Sequence, residues 1–76
     1  MNALRSRPQA RAVVLDSHHY ELLDGRDRGQ FYVLRDGASW AFVRRGDEGQ
    51  WIGNTVEGWI EPSLVARIMA GASRAR

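Results

Sequence analysis

The sequence predicts an all-β domain: a small barrel of five short strands over residues 12–70, closed near the C-terminus by a 3₁₀ or short helical turn. Three observations lead there. β-Branched and aromatic residues come in short runs, Gly- and Asp-containing turn signals separate those runs, and a proline follows the last of them. With 76 residues the chain has room for one core and one domain.

Residues 12–15, Ala-Val-Val-Leu, form the first strand, which ends in the polar Asp16, Ser17, His18 and His19. Residues 20–29 set Leu22 and Leu23 among Asp24, Gly25, Arg26, Asp27, Arg28 and Gly29, and read as a long irregular loop with two apolar feet. Residues 30–34 give the second strand. After Arg35, the pair Asp36-Gly37 is a tight-turn signal, because these residues accept positive φ at low cost. In a third strand of strict alternation, Trp40, Phe42 and Arg44 share one face, and Ala41 and Val43 the other.

Gly46-Asp47-Glu48-Gly49 connects this strand to a fourth over residues 50–54, which contains Trp51 and Ile52. After a turn at 54–58, a short fifth strand runs over 58–61. Pro62 then removes a backbone donor and fixes φ, so the ladder stops. Downstream, Leu64, Val65, Ile68 and Met69 fall on one helical face, with Pro62 suited to the first turn and Gly71 to the stop. A single 3₁₀ turn followed by a short strand over 66–68 satisfies the same pattern.

All eleven basic residues are arginine, and the formal net charge is +2. Arg5, Arg7, Arg11, Arg74 and Arg76 lie in residues 1–11 and 71–76, read as flexible basic tails. Between residues 12 and 72 six arginines face nine acids, a balance of 6 − 9 = −3, which argues against an ordered basic face for nucleic acid. Cysteine is absent, so packing alone stabilises the fold. No run has the length of a membrane span and the N-terminus has no signal-peptide apolar segment, so a cytoplasmic location is expected.

The run Gly58-Trp59-Ile60-Glu61-Pro62-Ser63-Leu64-Val65 resembles the segment in which SH3 domains, and the related bacterial SH3 domains, pass through a 3₁₀ turn to their last strand. Ala12-Val13-Val14-Leu15-Asp16 resembles the opening strand of that family, and the stretch from Ser17 to Gly29 stands where its long first loop would be. The resemblance spans roughly residues 12–69 and implies an SH3-like barrel. It also implies a groove for proline-rich peptides, although Leu15 and Leu64 stand where the family carries ring-bearing residues. Arg35-Asp36-Gly37-Ala38-Ser39-Trp40 and Ile60-Glu61-Pro62 through Arg67-Ile68 are similar to pieces of the plasmid-borne type II dihydrofolate reductases, which are also SH3-like barrels. That family's catalytic VQIYP puts its glutamine on Trp59 and its tyrosine on Glu61, so the likeness implies shared barrel construction without folate chemistry.

Other chemistry is sparse. His18 and His19 are adjacent, and neighbours on an extended chain point to opposite sides, so no metal site is expected. No nucleophile–base spacing, paired carboxylates or phosphate loop occurs, and neither a cofactor nor catalysis is expected. The expected function is a binding module for a protein or peptide. Its patch comprises Trp40, Trp51, Trp59, Tyr20 and Pro62, with Glu21 and Asp24 of the acidic first loop and Arg44 and Arg45 at the rim. Two alternatives stand beside it: single-stranded nucleic acid stacked on exposed rings and held by the arginine tails, and self-association into a homo-oligomer.

Overall fold

The structure, a computed structural model, describes residues 11–74. Six antiparallel strands form one sheet in chain order: β1 (Arg11–Leu15), β2 (His18–Asp24), β3 (Gln30–Arg35), β4 (Ala38–Arg45), β5 (Trp51–Thr55) and β6 (Gly58–Trp59). Helix α1 (Pro62–Arg74) follows. The described residues are mostly β, as the sequence predicts, but they form six strands and the sheet is not closed, with β1 and β6 at its two edges among these residues. The reason lies in α1. It follows the helical of the two patterns open for this segment, runs for thirteen residues and so past the expected stop, and packs on β1 and β5, covering one face of the sheet.

The additional strand is β2, which occupies much of the stretch read as a loop. Its residues alternate in the manner of a half-buried strand, with Tyr20 and Leu22 buried between the more exposed Glu21 and Leu23. The turn before it contains no glycine. Asp16 and Ser17 nevertheless both take positive φ, 50° and 71°, as a two-residue hairpin turn requires. The Arg67 guanidinium donates to both Asp16 carboxylate oxygens, at 3.2 and 3.4 Å, and ties that turn to α1. Asp36-Gly37, with φ of 52° and 86°, makes the expected tight turn between β3 and β4.

Strand β4 departs from strict alternation. Val33 pairs with Ala41 but Leu34 pairs with Ser39, so Trp40 is the extra residue of a β-bulge. The bulge resets which side chains share a face. Trp40 joins Ala41 and Val43 on the helix-covered side, its ring 5.3 Å from that of Tyr20, while Phe42 faces the opposite side beside Tyr32. The expectation that Trp40, Phe42 and Arg44 share a face therefore fails at one residue.

Sheet and helix interlock in a single core of Val13, Tyr20, Leu22, Val33 and Val43 with Val65, Ile68, Met69 and Ala72. The helical contributors are spaced i, i+3, i+4, i+7, the stripe of a helix with one buried face. Gly71 lies inside α1, not at its stop. A Cβ there would stand 2.9 Å from Val13 Cγ1, so the missing side chain allows α1 to approach β1 closely. Residues 71–74, expected in a tail, are consequently helical, and Arg11 begins β1. The flexible-tail expectation otherwise falls on residues 1–10 and 75–76, which lie outside the described residues. No helix among the described residues is long and apolar enough to cross a membrane.

Candidate functional site

Pro62 creates the most distinctive surface feature. Strand β6 runs beside β5 only at Asn54 and Thr55, and the Ile60 N–H then donates to the Gly53 carbonyl at 2.8 Å. There the chain leaves the sheet, because Pro62 has no N–H to add to a ladder and its φ suits the first turn of a helix. The Glu61 carbonyl accepts the N–H groups of Leu64 and Val65 at 3.0 and 3.2 Å and so opens α1. Between the uncovered half of β5 and the start of α1 lies a groove of about 560 Å³, lined chiefly by Trp51, Ile52, Trp59, Ile60, Pro62 and Ala66. Its lining is almost wholly apolar, the composition of a site whose main driving force is burial.

A second cleft, of about 360 Å³, adjoins the groove through Trp59 and Ile60 and is lined also by Trp40, Arg35 and Glu57. The three tryptophans thus flank one edge region, with unequal exposure. Trp59 is 74% exposed. Trp51 is half-buried, its ring against Phe31 with centroids 5.8 Å apart, and the Arg45 guanidinium lies 4.3 Å over it. Arg45 also donates to the Gly49 carbonyl at 3.2 Å. Trp40 is half-buried with Arg35 stacked at 4.9 Å. These cation–π contacts occupy ring surface that a ligand would otherwise use.

The remaining predicted site residues lie elsewhere. Tyr20 is only 3% exposed and is a core residue packed on Trp40. Glu21 and Asp24 are on β2, three strands from β5, and line two separate small clefts of about 390 and 310 Å³. Arg44 is exposed on the face opposite α1, in register with Ile52. The groove therefore gathers Trp51, Trp59 and Pro62, adjoins Trp40, and leaves out the acids of the first-loop reading. Ile52, Ile60 and Ala66 were not foreseen as lining residues. The signal for them is the proline placed three residues beyond the end of a two-residue strand.

One titrating contact stands out. The Asp36 carboxylate accepts the His19 backbone N–H at 2.9 Å and the His18 Nδ1–H at 2.7 Å. These bonds, the backbone one first, hold its carboxyl below the ordinary value of 3.8. A carboxyl that titrates low in the folded chain adds stability that is complete above its unfolded-state value and fades as pH falls toward the folded one. Denaturation midpoints taken from about pH 6 down to about pH 2 should therefore show the advantage of the wild-type chain over Asp36→Asn shrinking below about pH 4. A difference that stays constant across that range would remove the carboxylate from the account. No group of three or more His, Asp or Glu side chains among the described residues is arranged to hold a metal ion.

No family model, curated protein or solved structure matches this chain.

Proposed function

We propose that this chain is a non-catalytic binding module that holds a peptide segment of another protein in the groove between β5 and α1. One observation carries the reading: an open apolar groove in which the exposed Trp59 meets Trp51 and Pro62. Large apolar rings exposed at a concave site cost solvation until a partner covers them, and tryptophan is a frequent energetic anchor of interfaces. The binding role implied by the SH3 resemblance is retained, in a groove formed by the departing helix.

The test is to select binders from a random peptide library and map them by amide chemical shifts. Shifts are expected at residues 50–53 and 59–66, and Trp59→Ala is expected to weaken binding roughly thirty-fold or more, the effect of losing a hot-spot residue. Because Trp59 contributes little to the core, the same variant should keep its stability to within about 0.5 kcal/mol. Unchanged affinity in Trp59→Ala, or shifts confined to another face, would sink this reading.

A second reading has its own observation. On the face opposite α1, Leu23, Tyr32, Phe42, Asn54 and Trp59 form a continuous cross-strand row. Tyr32 and Phe42 have ring centroids 5.4 Å apart, and Arg44 is the next residue but one along β4. Such a row is a stacking platform for single-stranded nucleic acid, worth about 1–3 kcal/mol per stacked base. Titration with oligothymidylate at low and moderate salt decides it: salt-sensitive binding lost in Tyr32→Ala would favour this face over the groove.

A further inference from the structure

We infer that the occupant of the groove is an extended peptide that adds a strand to β5, with apolar side chains at alternate positions and a basic side chain at the end nearest Glu61. This inference rests on the groove being the binding site and specifies what it takes.

The hydrogen-bonding directions of β5 follow from its two neighbours. The Gly46 N–H donates to the Gln50 carbonyl at 2.7 Å, so Gln50 and, by alternation, Ile52 and Asn54 turn their backbone groups toward β4. Trp51, Gly53 and Thr55 turn theirs the other way. Thr55 is in register with Gly58 and the Gly53 carbonyl takes the Ile60 N–H, but no strand among the described residues lies beside Trp51 on that side. Its N–H and C=O are therefore directed into the groove. Backbone groups in such a position are a template for an incoming strand.

A polyproline helix is the competing shape, and the ring geometry disfavours it. Proline-rich ligands dock on open aromatic faces. Here Arg45 lies over Trp51 and Arg35 over Trp40, and among the described residues Trp59 alone of the three tryptophans has no cation stacked on it. An extended strand instead needs only a backbone edge and apolar walls on either side, and the groove supplies both.

Charge sets the orientation. Glu61 is exposed and sits in sequence between the lining residues Ile60 and Pro62, and Glu57 lines the adjoining cleft. Neither carboxylate is in an ion pair among the described residues. A peptide that prolongs the line of β6, antiparallel to β5, has its N-terminal end beside Glu61, which is where a basic residue belongs.

The probe is the acetylated and amidated peptide Arg-Val-Thr-Val-Thr-Val. Two further versions carry N-methyl groups, one on the valines and one on the threonines, and a proline-rich peptide, Arg-Pro-Leu-Pro-Pro-Leu, is tested in parallel. Binding is followed by amide shifts and by hydrogen exchange. Expected are slower exchange of the Trp51 N–H by about ten-fold at saturation and loss of binding in one N-methyl register only, because alternate N–H groups face β5. Glu61→Gln should weaken the probe roughly two- to five-fold, the range of an exposed ion pair. Should the proline-rich peptide occupy the groove while the strand peptide does not, or should both N-methyl registers bind alike, the added strand is overturned and groove binding survives. If neither probe nor any selected peptide shifts the groove residues, the groove reading falls and this inference with it.

Discussion

Replacing Ile68 by alanine is expected to cost roughly 2–5 kcal/mol, the largest effect of any substitution considered for this chain. Ile68 is 1% exposed and sits at the centre of the stripe that α1 lays on the sheet. The loss combines the transfer free energy of the deleted methyl and methylene groups with the cavity they leave, since the surrounding core relaxes only partly into the space. For 76 residues, the usual 0.05–0.15 kcal/mol per residue gives a total stability of about 4–11 kcal/mol, so the variant sits near its unfolding threshold. Urea denaturation checks this, with a lower midpoint at unchanged slope, while Ile68→Val should lose only about 0.5–1.5 kcal/mol. A midpoint that barely moves would mean that α1 is not part of the cooperative core.

Gly53→Val is the second large effect, expected at about 1–3 kcal/mol of destabilisation through overpacking. Gly53 is buried in β5, and a Cβ alone would already stand 3.0 Å from Ile60 Cδ1, 3.1 Å from Val65 Cγ2 and 3.2 Å from Val43 Cγ2. Two further methyl groups have nowhere to go unless α1 lifts. The diagnostic is a double mutant: Val65→Ala alone destabilises, but combined with Gly53→Val it should cost less than the sum of the two, since the deleted methyls make room for the added ones. Strict additivity in thermal or urea melts would contradict the close approach of α1 to β5.

How much of this was legible in the sequence depends on which force acted at each place. Turns with glycine were readable: Asp36-Gly37 and the 46–49 connection lie where their chemistry puts them. The Asp16-Ser17 turn was not, because two non-glycine residues are held at positive φ with Arg67, fifty-one positions away, bonded to Asp16. Missing that turn hid β2, whose Tyr20-Glu21-Leu22 alternation is in plain view once a hairpin precedes it. The Trp40 bulge left no local mark, since what selects it is the packing of the Trp40 ring on Tyr20. Glycine ends helices so often that Gly71 reads as a stop, whereas its absent side chain answers to Val13 on a distant strand.

For the candidate site, Trp59 and Pro62 stand together in the run that resembles an SH3 closing segment, and that resemblance is what singles them out in the sequence. Glu21 and Asp24 belong to the expected patch only if residues 17–29 form a long loop, and β2 takes up much of that stretch as a strand. Exposure of individual tryptophans was the least legible property. Contacts from other strands as well as neighbouring arginines set it: Trp40 lies between Tyr20 and Arg35, and Trp51 between Phe31 and Arg45.

The order of elements has a further consequence during biosynthesis. Each strand pairs with the one before it, so the ribosome can release a growing meander whose contacts form as they emerge. The helix comes last. Until residues 62–74 are out, Val13, Tyr20, Leu22, Val33 and Val43 form a bare apolar surface on a sheet with both edges free, the kind of species that chaperones engage and that aggregates when it persists. A chain truncated before Pro62 would remain that species permanently.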